Sequence, residues 1–296
     1  MRLAAVDIGS NAVRLLFCQV YPTETFPQLK KISLIRLPIR LGEDVFLTGK
    51  ISEQNQKKLI KTLLAFKQLV DVYEVLDYKI CATSAMREAK NSSEIMAKIK
   101  EKVGVELNII DGNTEADLIF NTHIAEKLNP NGTYLYMDVG GGSTELTLIK
   151  KGKKIDSFSF RIGTIRLKNN IVSKATWKEM KDWITTTKTN HAIDMIIGTG
   201  GNINSLYKLC GLSNYKLLMY FKLKKMDKYL NTLTIEERQL KLGLRPDRAD
   251  VITHASKIYL TVMKQAGVKE MFVPKVGLAD GVVNQLFQKH TKKNHT

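Results

Sequence analysis

Residues 136–146 read YMDVGGGSTEL. An apolar run ends in an acid, three glycines follow, then two hydroxyls, and a second acid opens another apolar run. Near the start of the chain the order is similar: VDIGSN, residues 6–11, again closes an apolar run with Asp and turns through glycine. Around the first turn the runs LAAVDI, VRLLFCQV and LKKISLIRLPI predict three strands, and around the second TYLYMDV, TELTLIK and KIDSFSF predict three more. A helix follows each set. The first opens at Ser52 as N-cap and places Leu59, Leu63, Phe66, Leu69, Val70 and Tyr73 on one face; the second covers about 177–187. Between the sets lie a strand YKICAT, a helix at about 93–102, a strand VELNII and a helix opened by Asn113 or Thr114; beyond lie the strand AIDMII and the loop GTGGN. The same strand-turn-strand-turn-strand-helix order occurring twice predicts duplicated α/β halves. We expect two domains facing across a cleft with the glycine turns as its lips.

The 296 residues, 44% hydrophobic, can bury a core of that size. Arg2, Asp7 and Arg14 interrupt the first apolar pattern, which fits neither a signal-peptide core nor a membrane span. Cys18, Cys81 and Cys210 are odd in number and far apart, as expected of reduced packing thiols in a cytoplasmic protein. The net charge of +17 points to a polyanionic partner. The lysine runs at 150–154, 222–228 and 289–293 carry little aromatic interleaving, so no specific nucleic acid is expected, and no membrane. Taken singly, each run reads as a solvated turn or helix face.

Glycine lets a phosphate approach the backbone, and consecutive turn N–H groups make an anion-holding nest. DIGSN and DVGGGST are therefore candidate phosphate clamps; each alone also reads as a hairpin turn. The turn acids suggest a cation: Asp138 and Glu145 could hold Mg²⁺, or Mn²⁺, with Asp7 completing the shell from across the cleft. Glu145 reads alternatively as an exposed strand residue opposite Leu146 and Leu148. Arg87, near Thr83 and Ser84, is either a bidentate phosphate ligand or a helix cap. Glu115 reads most simply as a first-turn acid, with Thr114 and Asp117 resembling a capping box.

Taken together, DIGSNAVRL, RLGEDVF, ATSAMREAKN, IIDGNTEADLIF, DVGGGSTEL, IGTIRL, GTGGN, GLRPDRADVI and VGLADG resemble the exopolyphosphatase and guanosine pentaphosphate phosphatase family. That family lies within the actin, sugar-kinase and heat-shock ATPase (ASKHA) superfamily. The resemblance implies two actin-like, ribonuclease H-like domains: residues 1–120 with a last helix at about 281–296, and residues 121–280. It implies hydrolysis of a terminal phosphoanhydride of inorganic polyphosphate or of guanosine pentaphosphate. Glu115 then matches the family's catalytic glutamate, which positions or deprotonates water. Asp138 and Glu145 match positions that handle metal and phosphate, while Ser10, Asn11, Arg87, Gly140, Gly141, Gly142 and Ser143 match phosphate contacts. The chain departs from the family pattern at Thr114, Asp117, His254 and Ala279, and it lacks the helical domain that longer relatives append. The expectation is a preference for shorter polyphosphate, with homodimerisation left open.

Two other readings stay in view: a kinase of the same superfamily, and a non-catalytic polyanion-binding protein. No acceptor pocket is recognisable for the first. Carboxylates inside the phosphate turns argue against the second.

Overall fold

The computed structural model describes residues 1–21, 28–120, 122 and 128–292. The chain divides into two compact units, Met1–Thr122 with Leu278–Thr296, and His123–Gly277.

In the first unit β1 (Arg2–Ile8), β2 (Val13–Tyr21) and β3 (Gln28–Leu37) form an antiparallel meander. β1 is buried from Leu3 to Ile8, as a strand covered on both faces must be. Returning parallel to it requires a helical crossover. That crossover is α1 (Leu41–Thr48) and α2 (Glu53–Val72), which lead to β4 (Asp77–Ala82); α3 (Ser84–Glu88), α4 (Ser92–Val103), β5 (Asn108–Ile109) and α5 (Gly112–Phe120) follow. The sheet order is β3-β2-β1-β4-β5.

Ser52 caps α2 as expected, its side chain accepting the Asn55 N–H, and Leu59, Leu63, Phe66 and Val70 are buried while Leu69 and Tyr73 pack at the margin. Two expectations shift. The VELNII strand shrinks to Asn108–Ile109, and α5 opens earlier, at Gly112. Asp111 is its cap, because Asp111 Oδ1 accepts the Thr114 N–H at 2.7 Å and the Thr114 hydroxyl bonds the same carboxylate. Thr114 therefore serves a cap set three residues earlier instead of being one.

The second unit repeats the plan. β6 (Thr133–Val139), β7 (Thr144–Lys150) and β8 (Lys153–Phe160) form the meander. α6 (Thr164–Lys168) and α7 (Lys174–Asn190) make the crossover to β9 (Met195–Thr199), parallel to β6. Beyond α8 (Gly201–Leu209) come β10 (Leu218–Met219), α9 (Tyr220–Thr232), α10 (Ile235–Leu242), α11 (Pro246–Ala249), α12 (Ile252–Ala266) and β11 (Glu270–Phe272). The order β8-β7-β6-β9-β11 corresponds strand for strand to the first sheet, with β10 added at the edge. Even the irregularities repeat: the register slips after Phe17 in one meander and after Leu148 in the other, each ten residues beyond the turn aspartate. Both units thus have the duplicated actin-like α/β plan.

The three cysteines are free thiols, as expected. Burial is the largest influence on each, pushing Cys18 up to about 12 and Cys210 to about 11. Among the described residues no helix is long and apolar enough to cross a membrane.

The last helix, α13 (Leu278–Lys292), belongs to the first unit. Asp280 pairs with Lys31 at 2.7 Å, and Asp77 accepts from Lys289 at 2.9 Å and His290 at 2.8 Å. Burial acts to raise the Asp77 pKa, but the Lys289 and His290 bonds outweigh it and hold the carboxyl below its ordinary value. Gly281 faces α5 so closely that a Cβ there would sit 2.1 Å from the Leu118 carbonyl oxygen. Gly→Ala inside a helix ordinarily stabilises by about 1 kcal/mol. Here the sign should reverse: Gly281→Ala is expected to cost about 1–3 kcal/mol by overpacking, measured by chemical denaturation.

Candidate active site

In the first unit, the turn between β1 and β2 closes with the Gly9 N–H on the Ala12 carbonyl at 3.1 Å. Its outer carbonyls are taken from behind: Gly42 N–H donates to Ser10 O at 2.8 Å and Arg40 N–H to Asn11 O at 3.1 Å. A trans peptide points its C=O and the next N–H in opposite directions. Pinning the Ser10 and Asn11 carbonyls on α1 therefore aims the Asn11 and Ala12 N–H groups the other way. Arg40 makes this entry to α1 by adopting a left-handed conformation, φ 63°.

Buried Ser10 ties this turn to the segment after β4, its hydroxyl lying 2.8 Å from that of Ser84. Three residues on, Arg87 donates from Nη1 to the Ile110 carbonyl at 2.7 Å, holding the approach to α5. The Thr114 bonds, with Arg87 a lesser influence, keep Asp111 below the ordinary carboxyl range. Its capping contribution is therefore present above the ordinary value of 3.8 and lost as pH falls through the lower folded value. Glu115 sits in this first turn, half-buried.

Cys81 is the β4 register partner of Asp7. Burial chiefly raises its thiol pKa to about 11; Lys79 opposes this, and both the Asp7 and Glu115 carboxylates add to it. Asp7, Ser10 and Arg87 lie about the carboxyl ends of β1 and β4, the ordinary ligand position of an open α/β sheet, and Glu115 stands on the α5 turn whose approach Arg87 holds. Asp7 is already matched by charge, its Oδ2 accepting from Arg14 Nη1 at 2.6 Å.

The second unit uses the same device more fully. Gly140 N–H closes the turn on Ser143 O at 2.9 Å. From α6, Thr164 N–H takes the Gly140 carbonyl at 3.1 Å and Ile165 N–H the Gly141 carbonyl at 2.9 Å, while buried Arg166 gives Nε to the Gly142 carbonyl at 2.7 Å. By the same peptide geometry the N–H groups of Gly141, Gly142 and Ser143 face away from α6. No backbone carbonyl among the described residues accepts them. Three successive N–H groups presented together are an anion nest.

Asp138 stands opposite Glu145 in the β6/β7 register, at the position where Asp7 stands opposite Arg14. Glu145 is only 3% exposed and accepts from the Ser159 hydroxyl at 2.9 Å, so the exposed-strand reading is excluded. Two facing carboxylates repel unless a cation joins them. Among the described residues no three His, Cys, Asp or Glu side chains cluster as a metal cage. A two-carboxylate set suits a cation that keeps most of its waters, such as Mg²⁺.

Sequence reasoning missed several supports. Asn202 donates to the Val139 carbonyl at 3.0 Å and accepts from Arg248, both residues being buried. The Tyr259 hydroxyl donates to the Thr199 carbonyl at 3.2 Å; burial first, then Asp138, raises its pKa well above the usual value. The available signal was an arginine inside an apolar motif, in IGTIRL and GLRPDRAD.

Gly200 has φ +91°, and a Cβ there would lie 2.4 Å from Asp138 Oδ1. Gly200→Ala is expected to cost about 2–3 kcal/mol through strain and crowding and to displace the carboxylate. Denaturation together with phosphatase turnover checks both effects.

The chain resembles known proteins along its length. The family model described as the Ppx/GppA phosphatase family matches residues 25–290. Exopolyphosphatase 1 of Mycobacterium tuberculosis is 24% identical over 307 residues, covering 96% of this chain and 87% of that protein. The crystal structure of the Aquifex aeolicus Ppx/GppA family member has a TM-score of 0.78 at 28% identity, covering 100% of this chain and 99% of the other. An exopolyphosphatase structure from Cytophaga hutchinsonii has a TM-score of 0.85 at 23% identity, with 98% of each chain covered, a likeness of fold. Two pinned glycine turns in duplicated sheets, and a family match reaching from before β3 into α13, place this chain in the Ppx/GppA phosphatase family.

Proposed function

We propose that this phosphatase is an exopolyphosphatase, removing the terminal phosphate of inorganic polyphosphate with water as acceptor. The observation that carries the reading is the placing of Asp7, Ser10 and Arg87 at one sheet end, with Glu115 on the helix turn whose approach Arg87 holds. It is supported by the names of the relatives, several of which are exopolyphosphatases.

Each unit's turn offers N–H donors to phosphate oxygens: Asn11 and Ala12 in the first, Gly141, Gly142 and Ser143 in the second. The hydroxyls of Ser10 and Ser143 add donors. Arg87 spends one Nη1 hydrogen on Ile110 and offers the rest of its fork to a phosphate. Glu115 orients water and accepts its proton, the role a carboxylate base fills near neutral pH. Within the second unit, Asp138 and Glu145 would hold Mg²⁺. When bound, the cation neutralises charge on the phosphate chain.

Glu115→Gln is expected to lower phosphate release from tripolyphosphate at least about 100-fold with the unfolding midpoint unchanged; full turnover would remove Glu115 from the chemistry. Chelation of divalent cations should abolish release, and re-addition of Mg²⁺ restore it. Glu145→Gln should raise the Mg²⁺ concentration needed for half activity; an unaltered requirement sinks the carboxylate pair as the metal site. Guanosine pentaphosphate, assayed in parallel, decides substrate preference within the family.

A further inference from the structure

Away from these turns, the second unit carries a lysine-lined groove between α7 and α12. Lys174, Trp177, Lys178 and Lys181 recur on α7 at helical spacing that puts them on one face, and Lys257, Thr261 and Gln265 do the same on α12. Together with Asp182 they enclose about 520 Å³. A separate hollow of about 410 Å³ adjoins it along α12, where Lys257, Thr261 and Lys264 meet Tyr220 and Asp227 of α9, the Asp227 carboxylate accepting from Ser256 and Asn231.

The charge of this groove is one-sided. Asp182 is occupied by Lys178 at 2.5 Å. Lys174, Lys181, Lys257 and Lys264 are exposed, and no acid among the described residues lies within ion-pair distance of them. Like charges concentrated in a concave surface attract a linear anion more strongly than the same charges dispersed. Stacking is not offered: the one aromatic ring in the groove, Trp177, has Lys257 Nζ over it, 5.9 Å from the ring centre. Single-stranded nucleic acid binders rely on free aromatic platforms, whereas a base-free phosphate chain needs only the cations.

We propose that the α7–α12 groove is an accessory binding site for inorganic polyphosphate, engaging a stretch of chain separate from the end being cut. The assignment rests on the exopolyphosphatase reading for its ligand and on the groove's charge for its place.

The test compares wild-type protein with the triple variant Lys174→Gln, Lys181→Gln, Lys257→Gln, using long polyphosphate, tripolyphosphate and single-stranded RNA matched to the long chain in phosphate number. Binding is read by calorimetry and by Trp177 emission in a Trp183→Phe background, since the chain has 2 tryptophans. Long-chain affinity should fall about tenfold, with the salt slope of binding reduced by about two, as loss of three cations predicts. Turnover of tripolyphosphate should not change. Unchanged long-chain affinity, or an equal loss of RNA binding, overturns the accessory site while leaving the hydrolase reading intact. Groove-dependent binding of polyphosphate without phosphate release supports the groove and sinks the exopolyphosphatase reading instead.

Discussion

The planarity of the peptide unit governs both glycine turns. A carbonyl held on one side of a turn commits the following N–H to the other. In each unit the backbone at the start of a short helix after the third strand supplies the hydrogens that hold those carbonyls: Arg40 and Gly42 for one turn, Thr164, Ile165 and Arg166 for the other. Buried backbone groups left without partners are costly, so the turns are fixed in this orientation by the fold before any ligand arrives. An anion then meets donors that need little rearrangement.

The two halves diverged in charge at one position. Across the meander register, Asp7 faces Arg14 whereas Asp138 faces Glu145. The first arrangement neutralises its carboxylate internally, with a bond of 2.6 Å. The second sets half-buried Asp138 against buried Glu145, the pair proposed to take a cation. Duplication supplied two similar scaffolds that differ in charge at this register position. On one side of Asp138 the backbone approaches closely: Gly200 lacks the Cβ that would collide with the carboxylate, and Asn202 and Arg248 brace the end of β6.

The excess positive charge has structure of its own. Much of it coats helices as solvated faces, as in α9, but the stripes on α7 and α12 converge on one groove. Sequence runs of lysine and spatial concentrations of lysine are therefore different things in this protein. KKGKK, conspicuous in the chain, is largely the hairpin of Lys151 and Gly152 in left-handed conformations. Lys174, Lys181 and Lys257 form no run at all.

Much of the fold could be read from the chain because it depends on short-range periodicity. Strand alternation, the Ser52 cap and the repeated Asp-x-Gly turns are local signals, and six meander strands were placed by them. Local spacing misled at Asp111, where two hydroxyl-bearing and amide residues competed for the cap and the carboxylate three positions ahead of Thr114 took it. Glu115 was ambiguous for the same reason: a first-turn acid looks alike whether it serves the helix dipole or a reaction. Its neighbourhood with Asp7 is decided by β4 running parallel to β1, a pairing across some seventy residues that no window of sequence contains. The burial of Glu145, the bracing by Arg166, Asn202 and Arg248, and the meeting of α7 with α12 were likewise decided only by tertiary packing. The residue types and their periods determined which elements form; which side chains share a volume depended on crossovers and strand order, and those are set by burial of the whole sheet.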